Sequence, residues 1–497
     1  MQLKFAFKHR FALFFGLLLS FIIFLCHSCT LNDVFTDDPD IKLTFSDDTL
    51  QFDTVFTTMG STTNYFLAFN KSASKVKISN IRLGNGSQSA YRINVDGING
   101  YEFKDVELWA NDSLYIFVEV TIDPTDLNTP FVVQDSVIFE TNGNLQYVPL
   151  VAWGQNAHFF GPNTPNGYLV GTTADTTWTN DKPYVIYDGI IIDSLRTLTI
   201  EQGTRIYLHN NAFIFVKGSL RVSGGQDTST WVQFKGTRLE QWYKKVPGQW
   251  GGIWLLRGST NNQITGALIE NSVVGIRIDS LPISGTAPNL QVQNSIIRNI
   301  SDSGIIGITA VISATNTFIY NCGKHVLQLE YGGFSAFNHC HLLNYGGNSF
   351  DGKPIIRVGN YFDTGTQLYL SNITEAQFYN CIIDGGEDEN LELTDITKTQ
   401  NYTGPAVDTF NVQFYNSVIR TKETTTNPIF HNCLFNLYRG NLFADISQDD
   451  YRPKENAPTI NAGLPNVETT NPLAQPAPAD LLGKTRDAQP DIGCFEF

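Results

Sequence analysis

Four of the seven tryptophans fall between Trp231 and Trp254. The same stretch holds Lys235, Arg238, Tyr243, Lys244, Lys245 and Arg257. Flat aromatic faces beside cationic side chains suit a sugar ring that carries a carboxylate or sulfate. Trp242, Tyr243, Lys244, Lys245 and Arg238 are therefore the candidate glycan-binding residues. Pro247-Gly248 and Gly251-Gly252 offer a plainer reading, a loop whose Trp250 and Trp254 pack on the fold. A binding surface requires Trp242 and Tyr243 outward, with Trp250 or Trp254 packed inward.

A second group is Asp384, Glu387, Asp388 and Glu389, followed by Glu392. Carboxylates this dense could hold a hard cation such as Ca²⁺. No calcium-loop spacing is present, and a solvated acidic loop is the plainer reading. No other metal or cofactor is implied. His339 and His341 flank Cys340; if Cys340 points inward, both should point outward, where His341 could titrate near neutrality. No nucleophile elbow, phosphate loop or His-Glu-x-x-His helix occurs.

The elements that must position these residues are written in a repeat. Asn, then Ser, Thr or Cys, then two apolar residues recurs as Asn271-Ser272, Asn294-Ser295, Asn316-Thr317, Asn380-Cys381, Asn416-Ser417 and Asn432-Cys433. His339-Cys340 is a degenerate copy. The first steps are 23, 22 and 23 residues, a period that marks a solenoid with one coil per repeat. Short runs of Ile, Val, Phe and Tyr, broken by Gly, Asn, Asp and Ser, make each coil from strands. The expected architecture is a parallel β-helix with rungs about 4.8 Å apart. Its first position would be an Asn ladder at a bend, and its second an inward column of small side chains. Cys340, Cys381 and Cys433 share that column, so they read as buried free thiols, while Cys322 and Cys494 lack metal-site spacing. Later steps of 41, 36 and 16 residues imply loops gathered on one face.

The chain has 497 residues, enough for about two to four domains, and a net charge of −15. With no basic stripe to offset the acid, nucleic acid is excluded as a partner. The N-terminus carries Lys4, Lys8 and Arg10, the apolar run Phe11 to Leu25, then Cys26-His27-Ser28-Cys29. This is an export signal, too short to read as a spanning helix. Ser28-Cys29 resembles a bacterial lipobox, and the whole start resembles lipoproteins of the Bacteroidota, although Cys26 stands where Leu is usual. The resemblance implies a signal peptide over 1–28, lipidation at Cys29, a tether over 29–40 and an outer-membrane anchor on either face.

Residues 41–158 carry short strand candidates separated by Asn85-Gly86, Asn99-Gly100 and Asn142-Gly143, an antiparallel sandwich pattern. Phe69-Asn70, Asp112-Ser113-Leu114, Asp123-Pro124 and Trp153-Gly154 resemble immunoglobulin-like modules of bacterial surface and ciliary proteins. Pro162, Pro165 and Gly167 suggest a linker over 159–183. The region 184–440 resembles the right-handed parallel β-helix of pectate-lyase-like proteins, and Asp480 to Glu496 resembles the block that closes many secreted bacterial β-helices. Segment 441–497 is thus expected to cap the last coil, with Asp480, Arg486 and Asp491 structural. The expected fold is all-β, a sandwich followed by a β-helix with a C-terminal cap. The family likeness allows three functions: a lipid-anchored envelope protein presenting a β-helix to glycans, a polysaccharide lyase or hydrolase, or a purely structural envelope component. In the lyase reading, Lys or Arg takes a proton beside a uronate carboxylate, often with Ca²⁺.

Overall fold

The computed structural model describes residues 34–125, 128–171, 173–279, 288–346, 352–399, 402–404, 409–465 and 473–497. The signal peptide and Cys29 lie outside them. The chain forms two compact units, one ending at Asn156 and the other beginning at Ala157. Every extended element is a β-strand and the remainder are short 3₁₀ turns, so the protein is all-β among the described residues.

The first unit is a sandwich of a six-stranded and a five-stranded sheet. Alternation aims Phe66, Ala68, Ile116, Val118, Val137 and Phe139 into one core. Asn142-Gly143 turns a hairpin with both residues at positive φ, as its sequence demands. Asn99-Gly100 instead lies within a strand, and the turn sits at Asp96-Gly97, whose φ values are 51° and 80°. The tether also ends earlier than expected. Phe35-Thr36 pairs in parallel with Lys75-Val76, and the Lys75 ammonium lies 4.8 Å from the Phe35 ring.

The second unit is a parallel β-helix of three sheets. Each coil contributes one strand to each sheet, and nine complete coils are present among the described residues. The solenoid starts before residue 184. His158–Phe160, Leu169–Val170 and Thr176–Trp178 pair in parallel with the strands of the next coil. The segment expected as a linker is therefore the first coil: Phe160 and Trp178 close over Tyr184, with Trp178 and Tyr184 stacked at 4.3 Å.

The repeat has a physical explanation at the corner between the third and first sheets. Asn294, Asn316, Asn380, Asn416 and Asn432 all have φ between 45° and 53° there, the left-handed region that Asn tolerates best after Gly. The carbonyl just before the bend stays in the ladder, accepting an N–H of the preceding coil, from Gly266 at Gln293 and from Asn380 at Tyr415. The next side chain adds a further bond to this carbonyl: Ser295 donates to Gln293 (2.7 Å), Thr317 to Thr315 (3.1 Å), and Ser417 to Tyr415 (2.9 Å). Cys340, Cys381 and Cys433 make the same contact to Asn338, Tyr379 and His431. A short donor suits the slot, and Ser, Thr and Cys are residues that supply one.

Asn271-Ser272 is out of this register. Leu268 aligns with Ile296, so Gly266 (φ 63°) occupies the corner and Ala267 the slot. Asn271 belongs to the following corner with Asn299 and Asn321 (φ 55° and 56°), where Asn321 bonds Asn299 at 2.6 Å. All five described cysteines are free thiols, and Cys340 and Cys381 are fully buried.

The closing segment covers the solenoid along a flank. On the first sheet the outward column Leu268, Ile296, Phe318, His341, Ile382, Val418 and Leu434 is apolar except for one residue. Leu442, Phe443, Tyr451, Leu481, Ile492 and Phe495 pack over it. Asparagine amides at or beside the corners hold the segment's backbone: Asn416 to the Ala462 carbonyl, Asn380 to Leu464, Asn338 to Gln475 and Asn316 to Ala479. Asp480, Arg486 and Asp491 are structural: Asp480 accepts from the Leu482, Lys484 and Glu496 N–H groups, Arg486 pairs with Glu496, and Asp491 accepts from Asn461 and Phe497. The final rung, at Phe430, Cys433 and Phe435, stays half-buried.

His341 points outward as expected but is buried beneath this cover, with Phe318, Phe443 and Phe495 around its ring. His339 is buried too, at a left-handed corner (φ 50°), its ring bridging the Gly493 carbonyl and the Asn380 amide. Neither is a surface group. Neither ring nitrogen of His341 has a hydrogen-bond partner among the described residues. Burial, reinforced by Arg486, lowers its pKa to about 3. The unfolded chain, near 6.5, binds a proton that the native chain refuses, so stability falls as the pH drops from about 6.5 toward 3. His341 should cost about 2 kcal/mol between pH 7 and pH 5. His341→Leu, which completes the apolar column, should raise the urea midpoint and flatten this acid limb. An unchanged limb would show that another group carries it.

Candidate functional site

The tryptophan segment is an insertion at the corner between the first and second sheets, between the strands Val232–Gly236 and Gly252–Leu255. Its four indoles diverge. Trp250 is fully buried, its Nε1 donating to the Glu270 carbonyl at 2.9 Å, and Trp231 is buried against the flank core. Trp254 is half-buried on the outer face of the second sheet, bonded to Asp279 at 2.8 Å beneath the Arg277 guanidinium. Trp242 alone is open, at 70% exposure, on a 3₁₀ turn over Gln241–Tyr243. Trp242 is outward and Trp250 inward, as a binding surface requires of them, but Tyr243, expected outward, is half-buried against Arg238.

The loop is held from below. Gln249 donates to the Tyr243 and Val246 carbonyls at 2.7 and 2.9 Å, and Asn271 donates to Lys244 at 3.2 Å. The cations are treated differently from one another. Arg238 is paired with Glu240 and lies 3.8 Å from the half-buried Tyr243 ring. Lys245 bridges Asp449 of the closing segment at 2.6 Å. Lys244 is exposed and makes no ion pair among the described residues. Of the five candidate residues, Trp242 and Lys244 are thus the exposed side chains without an ion pair among the described residues.

Beside Lys245 a groove of about 220 Å³ opens between the solenoid and the closing segment. Tyr320, Asn321, Leu343, Tyr345, Asp449 and Tyr451 line it. This is below the range of about 300–1,000 Å³ usual for a complete small-molecule site, and is the scale of one sugar unit. Tyr345 and Tyr451 stack at 6.0 Å, giving the groove an aromatic wall. Burial pushes the hydroxyls of Tyr320, Tyr345 and Tyr451 above their ordinary range, so they serve as neutral hydrogen-bonding groups.

Asp384 reaches this groove from below, and not as part of an acidic cluster. Its carboxylate is buried, accepts from Tyr345 at 3.0 Å, and is paired with Arg420 (2.5 Å) and Arg439 (3.6 Å). Glu387 and Asp388 are exposed, while Glu389 accepts from the Leu391 and Lys422 N–H groups and the Thr421 hydroxyl. The expected Ca²⁺ candidates are therefore dispersed, because the strand aims Asp384 outward into two arginines while the loop carries the others away. No group of three or more metal-ligating side chains gathers among the described residues. Above the groove, Glu270 is paired with Arg298 at 2.8 Å, and Arg298 donates to Tyr320 at 3.1 Å. Burial opposes the Arg298 charge, but Tyr320 and Glu270 outweigh it and hold the guanidinium protonated.

Arg298, Tyr320, Tyr345, Asp384 and Arg420 were not singled out as a group by sequence. The alignment of rungs could have shown it, since Glu270, Arg298, Tyr320, Leu343 and Asp384 occupy one outward column. Each carboxylate of the column is matched by arginine, so neither Glu270 nor Asp384 is a free acid or base of the kind a glycosidase uses in pairs.

No family model and no curated protein matches the chain. Among solved structures, the likenesses are to a PapD-like domain of human CEP192 (12% identity, TM-score 0.17, 26% of this chain and 94% of that one). A family 123 glycoside hydrolase from Clostridium perfringens aligns at 7% identity and TM-score 0.17, over 24% of this chain and 30% of that one. The catalytic domain of a GH87 α-1,3-glucanase aligns at 11% identity and TM-score 0.17, over 76% of this chain and 92% of that one. Scores this low carry no functional argument.

Removing one partner of a buried ion pair leaves the other charge unmatched. Asp384→Asn should lower the unfolding free energy by about 3 kcal/mol, the low end for such a loss because Arg439 keeps some solvent contact. Urea denaturation measures this, and a loss under about 1 kcal/mol, typical of a surface pair, would mean that the column does not hold the closing segment.

Proposed function

We propose that this protein is a lipid-anchored envelope component that presents its β-helix to acidic glycans without acting on them chemically. The observation that carries the reading is Trp242: one indole of four stands in solvent, beside the unpaired Lys244 and close to a tyrosine-walled groove. An exposed aromatic on a held loop offers a stacking face with little ordering cost. Lys244 supplies attraction for carboxylate or sulfate, and the groove accepts a neighbouring unit through neutral hydroxyls. Anchoring rests on the Ser28-Cys29 signature and the apolar run before it, and places the protein at the outer membrane. Two acyl chains would make such attachment stable. The pairing of Glu270 and Asp384 with arginines, and of Lys245 with Asp449, favours binding over lyase or hydrolase chemistry.

Two measurements test this reading. Cys29→Ala should move the protein from the membrane pellet into the soluble fraction, and a variant that still pellets after a salt wash removes lipidation as the anchor. Trp242→Ala with Lys244→Ala should weaken retention on polygalacturonate or a sulfated polysaccharide about tenfold or more. Thermal stability should stay nearly constant, as surface changes usually leave it. Ultraviolet-absorbing unsaturated products from polygalacturonate would replace the binding reading with a lyase.

A further inference from the structure

A larger concavity lies in the sandwich, in a region to which no role has so far been given. It measures about 520 Å³ and opens on the outer face of the five-stranded sheet, within the range of about 300–1,000 Å³ typical of ligand sites. Strand pairing dictates what meets there. Tyr65 lies opposite Phe117, Phe117 opposite Asn94, and Glu119 opposite Arg92. Three aromatic side chains that a soluble sheet would normally keep inside are instead displayed: Tyr65 at 51%, Tyr115 at 48% and Phe117 at 37% exposure. Their centroids lie 5.5 to 5.9 Å apart, with Tyr115 and Phe117 nearly parallel at 14°. They form a continuous platform, and its Phe117 end is a wall of the cavity.

The rest of the cavity is polar and balanced in charge. Arg92 and Glu119 face each other across the strands, and Thr63 donates to Glu119. Asn94 donates to the Asn99 side-chain oxygen at 2.8 Å, which leaves the Asn99 amide hydrogens unpaired among the described residues. A stacking platform that runs into amides, a hydroxyl and one charge of each sign matches a ligand with flat apolar faces and many hydroxyls but no net charge. A charged chain would gain from one of Arg92 and Glu119 and lose to the other. We infer that this sheet face is a second binding site, specific for a neutral polysaccharide, with Tyr65, Tyr115 and Phe117 as the stacking platform and Asn94, Asn99, Arg92 and Glu119 as hydrogen-bonding groups. The inference does not rest on the reading of the β-helix flank, whose open cation selects acidic chains.

The test is affinity electrophoresis of the detergent-solubilised full chain through gels containing β-glucan, galactomannan, xylan or amylopectin, with polygalacturonate as the acidic control. Retardation by at least one neutral polysaccharide is expected. Tyr115→Ala and, separately, Asn99→Ala should each weaken it about tenfold, the scale of one well-packed contact. Trp242→Ala should leave it unchanged. Both altered residues are solvent-accessible, and Asn99→Ala keeps the test open should Tyr115→Ala misfold. Passage through all four neutral gels without retardation overturns the inference. So does retardation that survives both changes, or that depends on Trp242. Loss of polygalacturonate binding in Trp242→Ala, with neutral binding intact, separates failure of one site from failure of the other.

Discussion

One local exchange underlies the solenoid: beside the left-handed corner, a short inward side chain bonds the carbonyl two residues before it from inside the coil. A polar side chain buried in the coil must be paired, because unpaired groups there are costly. The hydroxyls and thiols of Ser295, Thr317, Cys340, Cys381, Ser417 and Cys433 are paired in this way at successive rungs. The hydroxyl also serves the adjacent coil, as when Ser295 accepts from the Ala267 N–H and Ser417 from the Cys381 N–H. Satisfied corners keep the rungs in register, and register in turn stacks Phe337, Phe378 and Phe414 inside the helix.

The same corner builds the flank. A left-handed Asn has an amide available outside the coil, and the closing segment lays its carbonyls on those amides. Docking then depends on a matched surface beneath, which the column from Leu268 to Leu434 provides. The groove at Tyr345 is a consequence of this assembly, since one wall comes from the solenoid and the other from Asp449 and Tyr451. Asp384 lies where these pieces meet, and its two arginines tie the last coils to the start of the segment.

Charge is handled differently at the two surfaces that are open to ligands. Along the flank, Glu270 and Asp384 are paired with arginines and Asp449 with Lys245, while Lys244 makes no ion pair among the described residues. On the sandwich face, a single Arg and a single Glu oppose each other beside exposed tyrosines. Among the described residues, neither surface holds a free carboxylate pair, and His339 and His341 are sealed under the closing segment. Aromatic faces and hydrogen-bonding groups are what both surfaces present to a ligand.

The repeat was legible because it is local. A left-handed corner followed by a short donor constrains adjacent residues, so Asn followed by Ser, Thr or Cys is visible in any single copy. The inward Cys column followed from it, as did the outward direction of His341. Sequence could not separate the two corners of a coil, which both favour Asn, and so Asn271 was placed in the wrong ladder while Gly266 went unnoticed. It also could not foresee burial from a distance. His341 is covered by residues about 150 positions away, at Cys494 and Phe495. Asp384 left its acidic neighbours because strand alternation aims it at Arg420 and Arg439. Trp242 and Trp250 carry the same side chain eight positions apart, yet one packs in the core and the other stands in water. Local chemistry determined the coil; which surfaces remain open was decided by the segment that folds back over it, through contacts that no short window of sequence contains.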